Sequence, residues 1–248
     1  MPELSQWLHT PLGHYVMARE QAYFDRAVAD VFGYHAVQLG LPDHPLLREN
    51  RMPWRCLAGN HGPVDLLCDP VAMPFANQSI DLLLLPHVLD FTSHPHQVLR
   101  EAERVLVAEG RVILTGFNPF SLWGLARRGK PDSLPWQANF IGLNRLKDWL
   151  QLLSLEPAGG AFLCYAPPFE RESWLQRWRF MEDAGDRWWP LAAGVYAIEA
   201  VKRVRGMRLL TPRWRLLTPA PLASSAARSS RRGVLPPAVT RKNRHEHS

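Results

Sequence analysis

Cysteine is scarce. Cys56, Cys68 and Cys164 are the whole complement of a 248-residue chain, and no two stand at metal-ligand spacing. An odd, scattered set argues against a disulfide framework and a zinc ribbon, and it points to a reducing, cytoplasmic setting. Long apolar runs are lacking too, since none approaches the ~20 residues that cross a bilayer, so no membrane partner is expected. The opening Met1-Pro2-Glu3-Leu4 has neither a basic n-region nor an apolar h-region, so no secretory signal is read there. Ten histidines fall without a metal-binding spacing, and no internal repeat is visible.

What is present is ordinary globular material. Hydrophobic residues make up 46% and charged residues 21%, enough for a real core. The net charge of +6 is unevenly placed. Residues 218–248 hold Arg228, Arg231, Arg232, Arg241, Lys242 and Arg244 against the single acid Glu246, which leaves the body nearly neutral. This Pro-, Ala- and Ser-rich tail shows no apolar periodicity and reads as a disordered basic extension. It is expected to solubilise the chain, or to attract nucleic acid or other anions loosely. A second basic stretch, Lys202 to Arg215, adjoins an apparent strand and reads as a solvated face or an anion-binding surface.

The periodicity predicts alternating elements. Residues 1–33 form an N-terminal helical segment, with Val16, Tyr23, Phe24, Ala27, Val28 and Val31 at helical spacing. Strands are expected at Tyr34–Leu39, Trp54–Leu57 and Val64–Cys68, with a helix opening at Leu46. Ile80–Leu85, interrupted only by Asp81, reads as a strand buried on both faces. Pro95–Leu106 is an amphipathic helix that stops at Glu109-Gly110, and Arg111–Phe117 returns as a strand, giving a parallel pair with a right-handed crossover. A helix follows at Leu143–Leu155. Late strands are expected at Ala161–Tyr165 and Gly194–Val204, with a Trp-rich helical insert at 170–190. Residues 34–217 therefore form one α/β domain.

Several segments together carry a family resemblance. They are Asp69-Pro70-Val71-Ala72-Met73-Pro74-Phe75, Ser79-Ile80-Asp81, Leu99-Arg100-Glu101, Arg104-Val105-Leu106 and Glu109-Gly110-Arg111-Val112-Ile113. In this order and spacing they resemble class I S-adenosylmethionine-dependent methyltransferases of the type-11 group. Leu85-Pro86-His87, Gly116 to Gly124, Asp148-Trp149-Leu150 and Arg187-Trp188-Trp189-Pro190 are similar to its YafS-like subgroup. The resemblance implies a Rossmann-like, mostly parallel seven-stranded sheet with one antiparallel strand and helices on both faces. The antiparallel strand is expected near 194–204, beside 161–165. It also implies methyl transfer from S-adenosylmethionine to a small-molecule or nucleic-acid acceptor. The alternative is a catalytically silent fold that binds a partner or anion through the 202–215 face.

In an open α/β sheet the ligand lies beyond the carboxyl ends of the strands, where strand order reverses. The resemblance places Gly40, Asn60, Asp69, Val71 and Pro86 at the cofactor. The sequence differs from the family pattern at three points. The first loop, Gln38 to Asp43, carries one glycine; Ala58-Gly59-Asn60-His61 offers no carboxylate for ribose; and Pro70, after Asp69, has no N–H. Asp69 also reads as a turn residue. His87 follows the most buried strand and is the candidate general base, against the reading of a satisfied structural histidine. Asn118, Trp123 and Trp136 are candidates for a substrate pocket, with Trp188 and Trp189 beside them. Asn118 reads equally as a turn residue and the tryptophans as core. Glu101 and Arg104, at i and i+3 on a helix, read as a structural pair.

Overall fold

The computed structural model describes residues 2–129, 134–169, 177 and 192–204. Two helices open the chain, α1 (Pro2–Leu8) and α2 (Pro11–Ala29). Thr10 caps α2 by accepting from Gly13 N at 3.1 Å, and Pro11 occupies the first turn, where its missing N–H costs nothing. The strands are β1 (His35–Leu39), β2 (Trp54–Gly59), β3 (Leu66–Leu67), β4 (Ile80–Pro86), β5 (Leu106–Phe117), β6 (Leu155–Leu163) and β7 (Val195–Lys202). Helices α3 (Pro95–Val105), α4 (Leu122–Ala126) and α5 (Leu143–Leu152) lie between them, with a 3-10 turn at Leu89–Phe91.

The sheet order is β3-β2-β1-β4-β5-β7-β6. Pairing is parallel from β3 through β5, and β7 runs antiparallel to both β5 and β6, as expected for residues near 194–204. Side chains alternate between the two faces. Ala36, Leu82, Leu84 and Ile113 pack with α1 and α2. Val37, Leu39, Leu83, Leu85, Val112 and Leu114 pack with α3 and α5. Helices thus cover both faces of a buried sheet, which explains the continuous apolar run of β4. Its one acid, Asp81, lies at the amino end and accepts from the N–H groups of Tyr34 and His35 at 2.9 Å each.

Several boundaries differ from expectation, among them β2, which runs on to Gly59, and β3, which is only Leu66–Leu67. No helix opens at Leu46, where residues 46–49 form turns. Glu109-Gly110 does not separate helix from strand: β5 already begins at Leu106 and absorbs those residues at a register shift, with Glu109 at φ 63°. Helix α5 ends at Leu152, not Leu155, because Ser154 turns at φ 57° into β6. Strand β6 then runs through Pro157, Gly159 and Gly160 to end at Leu163, short of Tyr165. An edge strand tolerates proline and glycine, and those residues hid the part before Ala161 from a periodicity reading. The 170–190 insert, except residue 177, and the 218–248 tail lie outside the described residues, as do Trp188 and Trp189.

Candidate functional site

Strand order reverses between β1 and β4, so the carboxyl ends of these strands and of neighbouring β2 and β5 frame the expected crevice. The loop after β1 begins at Gly40, whose φ of 89° suits glycine, and continues through Leu41 at φ 51°. Gly40 N donates to Ala58 O at 2.8 Å, which ties the loop to the end of β2. Beneath the loop lies Gln38, buried on β1. Its Nε2 donates to the carbonyls of Gly40 (3.0 Å), Leu41 (3.2 Å) and His44 (2.8 Å), and its Oε1 accepts from Leu46 N (2.9 Å). One amide thus serves four backbone groups of the turn, of which only the Leu41 carbonyl has a second partner here, His44 N at 3.1 Å. Gln38 was legible as a polar residue inside an apolar strand, yet its service to the loop was not.

At the end of β2, Asn60 is exposed and its Oδ1 lies 2.7 Å from His61 Nδ1. Gly62, at φ 80°, meets the loop after β1, because a Cβ there would fall 2.6 Å from Pro42 Cγ. After β3, Asp69 is exposed and its Oδ1 accepts from Val71 N at 3.0 Å. Val71 N–H is therefore engaged in the turn that Asp69 organises. The following segment is held by the expected Glu101–Arg104 pair. Glu101 Oε2 accepts from Met73 N, and Arg104 donates to the carbonyls of Met73 and Phe75, all within 3.1 Å.

His87 is not at an open mouth. It lies at φ 52° just beyond β4, wholly buried. Its Nδ1 is 2.8 Å from Asp90 Oδ2 and its Nε2 is 2.8 Å from Glu20 Oε1, and both carboxylates are buried with it. Burial alone would strip the imidazole of its proton. The charge of Glu20 and the hydrogen bonds to Asp90 and Glu20 outweigh that and push its pKa up to about 10. Burial likewise raises Asp90, against the opposing pull of His87. With both nitrogens occupied and a proton held on each, His87 has no free lone pair for a substrate proton. The geometry supports a charged cross-link in place of the expected base. Asp90 extends that link: its Oδ2 accepts from Phe117 N at 3.0 Å and its carbonyl from Asn139 N at 2.7 Å. Glu20 was missed in the sequence, although its place between Val16 and Tyr23 on the inward stripe of α2 was the available signal.

The remaining candidates are interior. Pro86 is the buried last residue of β4. Asn118 Nδ2 donates to Ala193 O at 2.9 Å and its Oδ1 accepts from Phe120 N at 3.0 Å, the turn role anticipated for it. Trp123 and Trp136 are core residues, 1% and 5% exposed, not open pocket walls. Trp123 stacks on Phe117 at 6.1 Å, lies 5.9 Å from Trp136, and donates Nε1–H to Ala166 O at 3.0 Å. Phe117 also lies 4.3 Å from the His87 ring, so the structure brings His87 and Trp123 together around one phenylalanine, with Trp136 on the Trp123 ring. Gly40 and Asn60 belong to a different group, at the adjoining ends of β1 and β2.

Comparison with known proteins agrees with this architecture. Residues 50–114, from before β2 to within β5, match the family model described as a methyltransferase domain. The Escherichia coli protein YafS, itself uncharacterized, is 42% identical over 97 residues, which are 38% of this chain and 40% of YafS. The chain thus spans less than half the length of that curated relative. A SAM-dependent methyltransferase from Thermotoga maritima superposes with a TM-score of 0.58 at 14% identity, over 77% of this chain and 92% of its own. One from Archaeoglobus fulgidus gives 0.54 at 15%, over 73% and 92%. Geranyl diphosphate C-methyltransferase from Streptomyces coelicolor, solved with S-adenosylhomocysteine, gives 0.50 at 13%, over 73% and 76%. Residues 50–114 thus match a methyltransferase-domain model, and the chain shares the fold of these S-adenosylmethionine-dependent methyltransferases.

Proposed function

We propose that the protein is an S-adenosylmethionine-dependent methyltransferase acting on a small-molecule or nucleic-acid acceptor. The observation that carries this reading is the reversal of strand order between β1 and β4, framed by the loops after β1, β2 and β3. The residues suit a nucleoside-bearing donor. Gly40 removes a side chain from the first loop. His61 Nε2, in the loop after β2, is a shielded polar atom without a partner. Asp69 uses one carboxylate oxygen in its turn, and the other can accept from the adenine amine. Asn60 and Val71 belong to the same loops, Val71 offering only its side chain because its N–H is engaged, whereas Pro86 is buried at the end of β4.

When bound, the donor supplies an electrophilic methyl on a sulfonium, and the protein's task is to orient it and exclude water. The cross-link of Glu20, His87 and Asp90 fixes the ends of β4 and β5 against α2. His87 acts here by position, not as a proton acceptor. The silent anion-binding alternative draws no support from the described part of the 202–215 face. Lys202 is buried with its Nζ on Leu106 O (3.0 Å) and Glu103 Oε1 (3.1 Å), and Arg203 pairs with Glu109 and Glu156. Residues 205–215 lie outside the described residues. No helix among those described is long and apolar enough to cross a membrane. A cytoplasmic location is part of the proposal, in keeping with three free cysteines.

Calorimetric titration with S-adenosylmethionine tests the reading, with dissociation constants between about 1 μM and 1 mM expected. Saturating heat at one site per chain, followed by transfer of labelled methyl to an acceptor from a metabolite or RNA panel, supports it. No binding at millimolar S-adenosylmethionine by the folded protein overturns it.

A further inference from the structure

Parallel neighbours in a sheet are usually joined by a helix that covers the sheet face. The crossover from β1 to β2, residues 40–53, holds turns in place of that helix. The α2 side of β2 is therefore roofed by turns alone, and a cavity of about 220 Å³ remains beneath them. Strand alternation decides what faces it. Cys56 and Ala58 pack on the α3 side, so Arg55 and Leu57 point to the other, where Leu57 pairs in register with Gln38. Half-buried Leu57 supplies an apolar floor, and Pro45 and buried Leu47 form the facing wall.

Two guanidinium groups stand at the rim, each steadied along one edge. Arg48 donates Nε–H to Asp25 Oδ1 at 2.9 Å and Nη2–H to Asp25 Oδ2. That bond holds the Asp25 carboxyl below its ordinary range, so the charge of Arg48 is compensated. Arg55 donates Nη1–H to Asn50 O at 3.1 Å and makes no ion pair among the described residues. A guanidinium has five N–H donors, so both arginines keep donors to spare. The acid of the lining, Asp65, is engaged by the backbone. Its Oδ2 accepts from Leu57 N at 2.8 Å, and its N–H donates to Leu57 O at 2.9 Å. Arg55 is thus the uncompensated cation beside an apolar floor.

We propose that this cavity binds a small monocarboxylate with an apolar body of about six carbons, its carboxylate on Arg55 with a second contact from Arg48, and its chain on Leu47 and Leu57. A water-sized group fills about 30 Å³, so the volume suits about seven such groups. The planar fork of arginine matches a carboxylate, and a monoanion suits one uncompensated cation. A phosphate dianion would bring a second charge beside Asp65 with nothing to balance it. The site lies on the α2 side of β2, apart from the crevice beyond the strand ends, yet it shares a residue with the loop above that crevice. Gln38 lines the cavity and also carries the carbonyls of Gly40, Leu41 and His44. An occupant therefore packs against the side chain on which the loop rests, and should steady it.

The test uses the full chain with sodium hexanoate as probe, followed by amide NMR. A dissociation constant of about 0.1–3 mM is expected for so few atoms. Shifts should centre on residues 45–48 and 55–57, with slower amide exchange at residues 40–46. Hexylamine has the same chain and the opposite charge, and should bind at least ~10-fold more weakly, with hexanol between the two. Arg55→Gln keeps a donor for Asn50 O and removes the charge. It should weaken hexanoate ~5–10-fold and leave hexanol unchanged. Leu57→Phe takes up the floor and should weaken both. The amine comparison uses the parent alone, so the outcome does not hang on a variant folding. Equal affinity for hexanoate and hexylamine, hexanoate binding unaltered in Arg55→Gln, or no shift by the folded parent at about 20 mM hexanoate overturns the proposal. None of these results depends on whether the chain binds S-adenosylmethionine.

Discussion

Glu20 and His87 meet at 2.8 Å inside the protein, 67 residues apart in sequence and both wholly buried. With Asp90 on the other ring nitrogen, the imidazolium joins α2 to the ends of β4 and β5. Two carboxylates facing one cation form a cluster that is stable only while the cation persists. Removing it leaves two buried anions uncompensated. His87→Ala is expected to destabilise the fold by about 3–5 kcal/mol, read by urea denaturation. A loss within experimental error would show that the carboxylates are held protonated and need no cation.

The same cluster sets an alkaline limit. His87 has its pKa raised from 6.5 to about 10, so its stabilisation is complete below pH 6.5 and is lost as pH rises towards 10. Melting temperature should therefore fall across that interval. Glu20→Gln retains a partner for Nε2 but removes one charge, so its fall should begin at the same pH, be smaller in total and be complete at lower pH. Identical profiles for the two proteins would remove Glu20 as a source of the shift.

Gln38→Leu preserves volume and deletes the amide that serves Gly40, Leu41, His44 and Leu46. Each backbone group left buried without a partner costs roughly 1–3 kcal/mol, so a loss of about 3 kcal/mol or more is expected, with faster amide exchange confined to residues 40–46. Protection unchanged in that loop would mean that water replaces the glutamine.

Asp69 carries two tasks that two substitutions separate. Asp69→Asn keeps an oxygen for Val71 N–H and discards the charge, whereas Asp69→Ala discards both. If the adenine amine is a ligand of Asp69, both should weaken S-adenosylmethionine binding, the alanine variant by ~1.5–3 kcal/mol. Loss of stability in Asp69→Ala with unaltered affinity in both would leave Asp69 as a turn residue alone.

Lys202 extends across the end of α3, where its Nζ reaches Leu106 O and the carboxylate of Glu103. Lys202→Met keeps the stem but leaves the carbonyl without its donor, and a loss of about 1–3 kcal/mol is expected. An unchanged denaturation midpoint would assign this lysine no part in closing the sheet.

Local pattern determined much of the architecture. The apolar run of β4, the one-sided stripe of α3 and the helical spacing of Val16 to Val31 each report which faces are buried, because a side chain's direction follows from its place in a period of 2.0 or 3.6 residues. That was enough for an open α/β sheet, and the order of motifs from Asp69 to Gly110 was enough for its family resemblance. The first part of strand β6, before Ala161, escaped because Pro157, Gly159 and Gly160 break every periodicity, and only pairing with β7 holds them extended. Tertiary structure alone decided what His87 does. Its place after the strongest strand was legible, but nothing near it in sequence announces a carboxylate 67 residues away on α2. The same holds for Gln38, whose four partners exist only once the chain turns back over it. Periodicity encodes which face is buried. Which polar groups meet inside that face depends on long-range packing, and there the cost of an unpaired polar atom selects the partners.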